Sequence, residues 1–214
     1  MAEPPDPGRL LTALTTEHFT LQGARAATTS ESAARSSLFL GSVSSGLVAL
    51  GFLGSFTGGG SALFRTFALT ILPTLCFLGF TTFVRLVELG TEDLLYGRAI
   101  NRIRNHYHEL SGEQARLFMM GANDDARGVL QNMGLRPRPF QLYLTNAFAI
   151  AIVTSVLGGS VVALALGIAT GAPLGIDVAV GALAAVAGAA GLMRLTRRGY
   201  GMSPELGEPL FPSG

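Results

Sequence analysis

The sequence predicts an all-α fold: a polytopic membrane protein with four transmembrane helices, an N-terminal cytoplasmic helix and a cytoplasmic helical module between spans 2 and 3. Composition is the first reason. Of 214 residues, 49% are hydrophobic and only 14% are charged, whereas soluble domains carry about 25% charged residues. The second reason is that four long apolar runs have no charge in their middle thirds. The third is the distribution of arginine, which indicates how the chain is oriented.

The first 36 residues precede the first apolar run. We predict that residues 1–8, which contain three prolines and two acids, form a disordered lead, because a secretory signal would begin with a basic region and an apolar core. Residues 9–36 are predicted to form a cytoplasmic helix, since apolar residues recur at helical spacing in a segment too polar to span a bilayer. We expect a break near Thr28, Thr29 and Ser30, because clustered hydroxyls compete for backbone hydrogen bonds.

Residues 37–88 are predicted to form the first transmembrane hairpin, with spans at 37–56 and 66–87. Each span has about 20 residues, which at about 1.5 Å per residue matches a hydrocarbon core of about 30 Å. Arg85 and Glu88 lie three residues apart at the end of the second span, so we expect them to pair.

Residues 141–194 are predicted to form the second hairpin, with spans at 145–169 and 174–193. Small residues at helical spacing in the fourth span predict close contact with a neighbouring helix; they are Gly181, Ala185, Gly188 and Ala189. The Pro- and Gly-rich residues 195–214 are predicted to be a disordered cytoplasmic tail.

Residues 89–140 form the only long polar segment of the chain and are predicted to be the cytoplasmic helical module. Its first helix should begin at Thr91, after Gly90 ends the second span, and should run to about Leu110. Apolar residues at alternating steps of four and three predict a packing seam on this helix; they are Tyr96, Ile100, Ile103, Tyr107 and Leu110.

Two shorter helices are predicted to follow in the module. The run Ser-Gly-Glu-Gln at 111–114 fits a capping box, which predicts a helix to about Met120. The run Asn-Asp-Asp at 123–125 predicts the start of another helix, which should end near Gly134. The Arg-Pro-Arg-Pro segment at 136–139 is predicted to be extended, because a residue before proline disfavours helical backbone angles.

Arginine distribution predicts the orientation of the chain. All fifteen Lys and Arg residues are arginines, and with four spans fourteen of them lie on one side of the membrane, leaving only Arg65 on the other. The positive-inside rule then places both termini and residues 89–140 in the cytoplasm of a multi-pass plasma-membrane protein. The net charge of +1 creates no general field for nucleic acid, so we expect no such partner.

Two groups of side chains in the module are candidates for a site. Arg98, Arg102 and Arg104 lie close together in sequence, and we expect them to contact anionic lipid headgroups or an anionic ligand. The run His-Tyr-His-Glu at 106–109 contains metal-ligand side chains. Its two histidines are two residues apart and point to different faces of a helix, so we predict no metal site.

Motifs with known chemistry do not occur in the sequence. We find no nucleophile elbow, zinc-protease motif, nucleotide-binding loop or dinucleotide fingerprint, and we therefore predict no enzyme activity, no catalytic residue and no cofactor. The middle of each span also lacks ionisable residues, which argues against a coupled transporter.

A resemblance accompanies these observations. The run LTTEHFTLQGAR at 14–25, continuing through 31–35 into 41–45, resembles the start of a group of uncharacterised actinobacterial integral membrane proteins. The likeness covers roughly residues 10–55, and it implies a membrane location without a mechanism. The layout is also similar to that of small membrane effectors of bacterial defence systems, an analogy of architecture alone.

The function that these observations predict is a non-enzymatic integral plasma-membrane protein whose cytoplasmic helices mediate protein–protein or self-association. Its expected partners are the lipid bilayer, a cytoplasmic protein and further copies of the chain. A homo-oligomeric channel or membrane-disrupting effector is the first alternative, with a water path lined by Ser42, Ser44, Ser45 and Ser155. An enzyme acting on lipid at the inner interface is the second, and would use residues 106–109.

Overall fold

The structure is a computed structural model that describes residues 6–135, 145–171, 173–201 and 207–214. The described residues contain helices and no strand, which confirms the predicted all-α fold class. The helices are α1 (Pro7–Thr57), α2 (Ala62–Ser111), a 3-10 helix (Gly112–Leu117), α3 (Ala126–Asn132), α4 (Asn146–Thr170) and α5 (Leu174–Gly201). The segment at 136–139 that was predicted to be extended lies outside the described residues.

The chain divides into two compact units. Unit 1 comprises Met1–Glu31, Leu89–Gln141 and Ser203–Gly214, and unit 2 comprises Ser32–Glu88 and Leu142–Met202. Helices α1 and α2 each contribute residues to both units, α3 belongs to unit 1, and α4 and α5 belong to unit 2.

In the part of the chain that the structure describes, four helices are long and apolar enough to cross a membrane, namely α1, α2, α4 and α5. Large apolar side chains of unit 2 are exposed on them, including Leu38 at 72% and Phe56 at 85%. Exposing such side chains to water is unfavourable, whereas hydrocarbon accommodates them. The four spans indicated by the sequence are therefore confirmed as helices suited to a membrane. The cytoplasmic location of the polar segments stays a prediction.

Helix α1 differs from its prediction at both tested points. It begins at Pro7, inside the predicted disordered lead, because Asp6 Oδ1 accepts a hydrogen bond from the Gly8 amide at 3.1 Å and Pro suits the first helical position. The predicted break near residue 28 is wrong, and the helix is continuous. The hydroxyls of Thr28 and Thr29 donate to the Arg25 carbonyl at 2.8 and 3.3 Å, so they bond within the helix rather than interrupting it.

Helix α2 is also continuous where the sequence predicted a boundary. The expected end at Gly90 and new start at Thr91 are wrong, because the helix runs from Ala62 to Ser111. A glycine inside a helix costs only about 1 kcal/mol relative to alanine, which tertiary contacts readily offset. The expected pair between Arg85 and Glu88 is confirmed at 3.2 Å.

The segment after α2 contains one wrong prediction and one correct one. The capping box at 111–114 does not form, since the Ser111 hydroxyl donates to the Tyr107 carbonyl at 2.7 Å. Gly112 adopts a positive φ of 50°, which ends α2, and a 3-10 helix follows instead of an α-helix. The start of α3 is as predicted, because Asp125 Oδ1 accepts from the Gly128 amide at 2.7 Å.

Unit 2 has a core shared by three helices. Phe39 of α1, Phe83 of α2 and Ile150 of α4 are each only 1% exposed. A Cβ built on Gly79 would overlap Thr154 Oγ1 and lie 2.8 Å from the Phe39 ring. Glycine at this position therefore allows α2 to approach both α1 and α4.

Helices α4 and α5 pack closely along their small residues, as the sequence predicted. A Cβ built on Gly181 would lie 2.7 Å from the Gly159 carbonyl oxygen and 2.8 Å from Ala163 Cβ. At Gly188 the corresponding Cβ would be 3.4 Å from the Ser155 hydroxyl. Without side chains in the way, the two backbones gain dispersion contacts that replace the hydrophobic drive absent in lipid.

A substitution at Gly181 tests this contact. Gly181→Ala should lower the free energy of unfolding by about 1–3 kcal/mol, because the added methyl must displace backbone rather than a flexible side chain. Gly191→Ala, in the same helix, is the control, since no atom lies within 4 Å of its Cβ position. A thiol-reactive dye that reports exposure of Cys76, the only cysteine, gives the melting temperature in detergent. Equal melting of the two variants would contradict the close packing.

Candidate functional site

Unit 1 holds a cluster of charged side chains that begins with a pair between its two long helices. Arg25 of α1 donates to the Asp93 carboxylate of α2 through Nε at 2.8 Å and Nη2 at 3.1 Å. Such a two-pronged geometry fixes orientation as well as distance. Helix α3 packs on the same region, because a Cβ on Gly97 would lie 2.6 Å from a methyl of Val129.

Arg98 and Arg102, one turn apart on α2, reach the loop before α3 and the C-terminal tail. Arg98 is 7% exposed; its Nε donates to the Asp124 carbonyl at 2.6 Å and its Nη2 to the Gly207 carbonyl at 3.0 Å. Arg102 Nε donates to the Asp124 carboxylate, and its Nη2 donates to the Glu208 carbonyl at 3.0 Å. The two guanidinium groups therefore connect three segments that are far apart in sequence.

The Asp124 carboxylate lies at the centre of this cluster and is fully buried. Besides Arg102, it accepts hydrogen bonds from the backbone amides of Leu210 at 3.1 Å and Phe211 at 2.7 Å. The Asp124 amide in turn donates to the Phe211 carbonyl at 3.1 Å. Burial acts to raise the pKa of Asp124, but the hydrogen bonds from Arg102, Phe211 and Leu210 outweigh it and lower the pKa below its usual value.

Asp125 extends the contact with the tail. Its carboxylate caps α3 and also accepts from the Ser213 amide at 3.0 Å and the Ser213 hydroxyl at 2.8 Å. Burial again opposes ionisation, and the hydrogen bonds from Gly128 and Ser213 lower the pKa of Asp125 overall. Arg127 Nη1 donates to the Gly214 backbone oxygen at 3.0 Å.

The predicted disordered tail is therefore wrong for the part that the structure describes. Residues 195–201 belong to α5, and residues 207–214 are held by acceptors and donors of the loop at 123–127. The sequence contained a weak signal for this, because two adjacent acids and two arginines one turn apart all need partners. Nothing local shows that the partners are backbone groups about 86 residues away.

Arg104, the third arginine proposed as an anion contact, differs from the other two. Its Nη1 donates to Asn101 Oδ1 at 2.8 Å and to the Gly121 carbonyl at 3.2 Å. Among the described residues no carboxylate forms an ion pair with it. Burial, and secondarily the charge of Arg25, lower its pKa. Arg98 also lacks a carboxylate in an ion pair among the described residues, but it is buried and bonded to two carbonyls, so Arg104 is the more accessible of these two guanidinium groups. Contact of any of the three arginines with an anion stays a prediction.

His18 of α1 lies beside Arg104. Its ring is 5.8 Å from the Tyr107 ring, its Nε2 is 2.8 Å from Gln22 Nε2, and its buried Nδ1 has no hydrogen-bond partner in the described structure. Burial and the neighbouring charge of Arg104 lower the pKa of His18. Both effects favour the neutral imidazole.

A cavity of about 460 Å³ opens between these side chains. Its lining is mostly aromatic and thioether in character and contains no acid; it comprises Thr15, His18, Phe19, Arg104, Tyr107, Phe118, Met119 and Met120. The rim is unusually apolar for a surface. Met119 is 99% exposed, and Leu117 and Phe19 are 79% and 67% exposed. We call Phe19, Leu110 and Leu117–Met120 the apolar rim.

The predicted packing seam is divided by depth. Ile100 and Ile103 are buried, Tyr96 and Tyr107 are partly buried, and Leu110 is exposed. Tyr107 lines the cavity, and Leu110, three residues later on α2, is exposed.

The side chains at 106–109 have other neighbours. His106 Nδ1 is 3.8 Å from Glu109 Oε2, and the His108 ring stacks on Phe118 with centroids 4.8 Å apart. Within the described ranges, no three His, Cys, Asp or Glu side chains come together as metal ligands. Of the serines proposed for a water path, Ser42 and Ser155 donate to carbonyls of their own helices at 2.8 and 2.7 Å.

Comparisons with protein-family models, with curated proteins and with solved structures find no match.

Replacing Asp124 tests the cluster. Asp124→Asn should destabilise the tail contact by about 3 kcal/mol, which corresponds to about 100-fold faster exchange of the Leu210 and Phe211 amides. Hydrogen exchange read by mass spectrometry on the full chain measures this. Glu113→Gln is the control, because Glu113 is exposed in the 3-10 helix. Unchanged protection of the tail in Asp124→Asn would show that the carboxylate does not hold it.

The lowered pKa values of Asp124 and Asp125 predict an acid-induced release of the tail. Both folded-state values lie below the usual 3.8, so the stabilisation is present above about pH 4 and is lost as the pH falls through the folded pKa. A spin label at exposed Leu210, as Leu210→Cys in a Cys76→Ser chain, should stay immobilised from pH 7 to pH 4 and become mobile below that. Release between pH 6 and pH 5 would contradict the assignment to these carboxylates.

Proposed function

We propose that the protein is a non-enzymatic integral protein of the plasma membrane, with both termini in the cytoplasm, and that unit 1 is a cytoplasmic module for protein association. The arginine distribution supports the orientation, since fourteen of fifteen arginines lie on one side of four spans. The lack of a catalytic motif in the sequence supports a role in binding rather than catalysis.

The observation that carries the proposal is the apolar rim. It exposes Leu117, Phe118, Met119 and Met120 consecutively, with Phe19 beside the same cavity. A contiguous exposed apolar surface of this kind is typical of a protein–protein contact, and methionine adapts its shape to a partner at little cost. Because the side chains protrude around the cavity, a partner surface covers them better than a small molecule enclosed by the cavity.

Charge indicates the chemistry of the partner. Arg104 lines the cavity and has no carboxylate among the described residues, so a bound surface should bring one. Unit 1 itself exposes two acids near its rim, Glu109 at one end of α2 and Glu113 in the 3-10 helix. A second copy of unit 1 therefore offers both apolar and acidic groups, and a twofold arrangement would use them twice. We infer self-association as the first form of this function.

Substitutions on the rim test self-association. The full chain should be dimeric or larger in lipid nanodiscs or mild detergent by light scattering, and Met119→Lys should weaken association at least about tenfold, because it forces a charge into an apolar contact. Met119→Leu, which keeps the apolar surface, should associate like the parent. Since Met119 is fully exposed, neither change should affect folding.

A substitution of Arg104, measured in the same association experiment, tests the role of charge. Arg104→Gln should weaken association, whereas Arg116→Gln removes an exposed arginine outside the cavity and should not. A parent chain that remains monomeric at all concentrations would exclude self-association. Association that is insensitive to both Met119→Lys and Arg104→Gln would exclude the apolar rim as its surface.

A further inference from the structure

Residues 207–214 lie on unit 1 in the manner of a bound peptide, held mainly through their backbone. Side chains of unit 1 donate to four backbone oxygens of this segment at 3.0–3.1 Å; the donors are Arg98, Arg102, Asn123 and Arg127. In the opposite sense, the carboxylates of Asp124 and Asp125 accept from three of its amides. Within the described ranges, Ser213 is the only residue of the segment whose side chain hydrogen-bonds to unit 1. Main-chain hydrogen bonds of this kind give affinity in many peptide-binding sites.

Unit 1 needs an occupant at this place, because the groups that bind the segment are buried. The Asp124 carboxylate has no exposure, and without the segment it would lose both amide donors and keep Arg102. Arg98 is 7% exposed and would lose the Gly207 carbonyl, one of its two acceptors. Buried charged groups with missing partners are strongly unfavourable, so an empty site must open to water or take another peptide.

Hydrogen bonds connect this site to the cavity of unit 1. Asn123, which donates to the segment, accepts at its own carbonyl from Asn101 Nδ2 at 2.6 Å. Asn101 is 2% exposed, and its Oδ1 accepts from Arg104 Nη1 at 2.8 Å and from Asn132 Nδ2 at 2.9 Å. Arg104 lines the cavity, and both Arg104 and Asn132 also donate to the carbonyl of Gly121, the residue that follows the apolar rim. Opening the site therefore disturbs the network that holds Arg104.

We propose that Arg98, Arg102 and residues 123–127 form a peptide-binding site, and that residues 207–214 are its ligand. The class of ligand is a short peptide that offers two consecutive amides to one carboxylate and, two residues later, a serine to the next. Occupancy keeps Arg104 and the apolar rim in the arrangement that associates, so an empty site weakens self-association. This link to association rests on the proposed function, whereas peptide binding itself does not.

A proline in the segment empties the site in the full chain. Phe211→Pro removes the amide that donates to Asp124 Oδ1 at 2.7 Å, because proline has no backbone N–H. The amides of Leu210 and Ser213 should then exchange at least about tenfold faster, as measured by mass spectrometry. Pro209→Ala changes an exposed residue of the segment and removes none of these bonds, so exchange should stay as in the parent. Unchanged exchange in Phe211→Pro would overturn the assignment.

A fluorescein-labelled peptide with the sequence of residues 207–214, GEPLFPSG, tests whether the site takes a separate ligand. In lipid nanodiscs its anisotropy should report at least about tenfold tighter binding to the Phe211→Pro chain than to the parent, whose own segment competes. The peptide with Ser213→Ala should bind several-fold more weakly, because it lacks the hydroxyl that donates to Asp125 at 2.8 Å. No binding to the emptied site, or equal binding by the peptide with Phe211→Pro, would overturn the peptide site.

Light scattering on the same samples tests the link to the apolar rim. Phe211→Pro should associate at least about tenfold more weakly than the parent, and saturating GEPLFPSG should restore association. Ser213→Pro, which removes a different amide of the segment, should act in the same way, and Pro209→Ala should not. Melting reported by Cys76 confirms that each variant is folded.

The outcomes for the link and for the proposed function are distinguishable. Unchanged association with a released segment would refute the link and leave self-association standing. A parent chain that stays monomeric would refute self-association and the link together, while binding of GEPLFPSG would still report on the peptide site.

Discussion

The buried carboxylate of Asp124 is the constraint on which unit 1 depends. An ionised group with no exposure is strongly unfavourable unless charge and hydrogen bonds compensate it. Here Arg102 provides the charge, and the Leu210 and Phe211 amides provide the hydrogen bonds. Satisfying one side chain therefore brings together α2, the loop before α3 and the tail.

The position of residues 117–120 of the apolar rim also depends on this cluster. The residues from Gly112 to Asp125 contain only a short 3-10 helix. The segment is fixed at its first residue by the C-terminal end of α2, and near its last residue by the hydrogen bonds of Asp124. Asn132 adds a bond in the middle, since its side chain accepts from the Gly121 amide at 2.9 Å. As a result the exposed apolar residues at 117–120 lie at a defined position beside Arg104 and His18 rather than on a free loop.

How far the sequence predicts this protein depends on the distance over which each interaction acts. Apolar runs of span length predicted α4 and the membrane parts of α1, α2 and α5, because helix burial in lipid depends on local composition. The Asp125 cap of α3 and the small residues that face Gly159, which are Gly181 and Ala185, were also predicted from local sequence. By contrast, the hydroxyls of Thr28 and Thr29 suggested a break in α1. Such hydroxyls can interrupt a helix or can donate to a carbonyl one turn earlier, as these do to Arg25, and the sequence does not tell the two outcomes apart. The order of residues 207–214 was not predicted, because their partners Asp124 and Asp125 are distant in the chain. The Pro and Gly content of the tail indicates only the flexibility of the isolated segment.

The two units have different parts in the proposed function. Unit 2 supplies the candidate membrane spans, and unit 1 supplies the apolar rim. The proposed cytoplasmic location of unit 1 depends on the orientation inferred from arginine, because fourteen of the fifteen arginines lie on the same side of four spans as unit 1. Labelling a single cysteine at exposed Arg116, as Arg116→Cys in a Cys76→Ser chain, with a membrane-impermeant thiol reagent tests this most directly. We expect labelling in inverted vesicles and none in intact cells; labelling in intact cells would place unit 1 outside and contradict the proposed function.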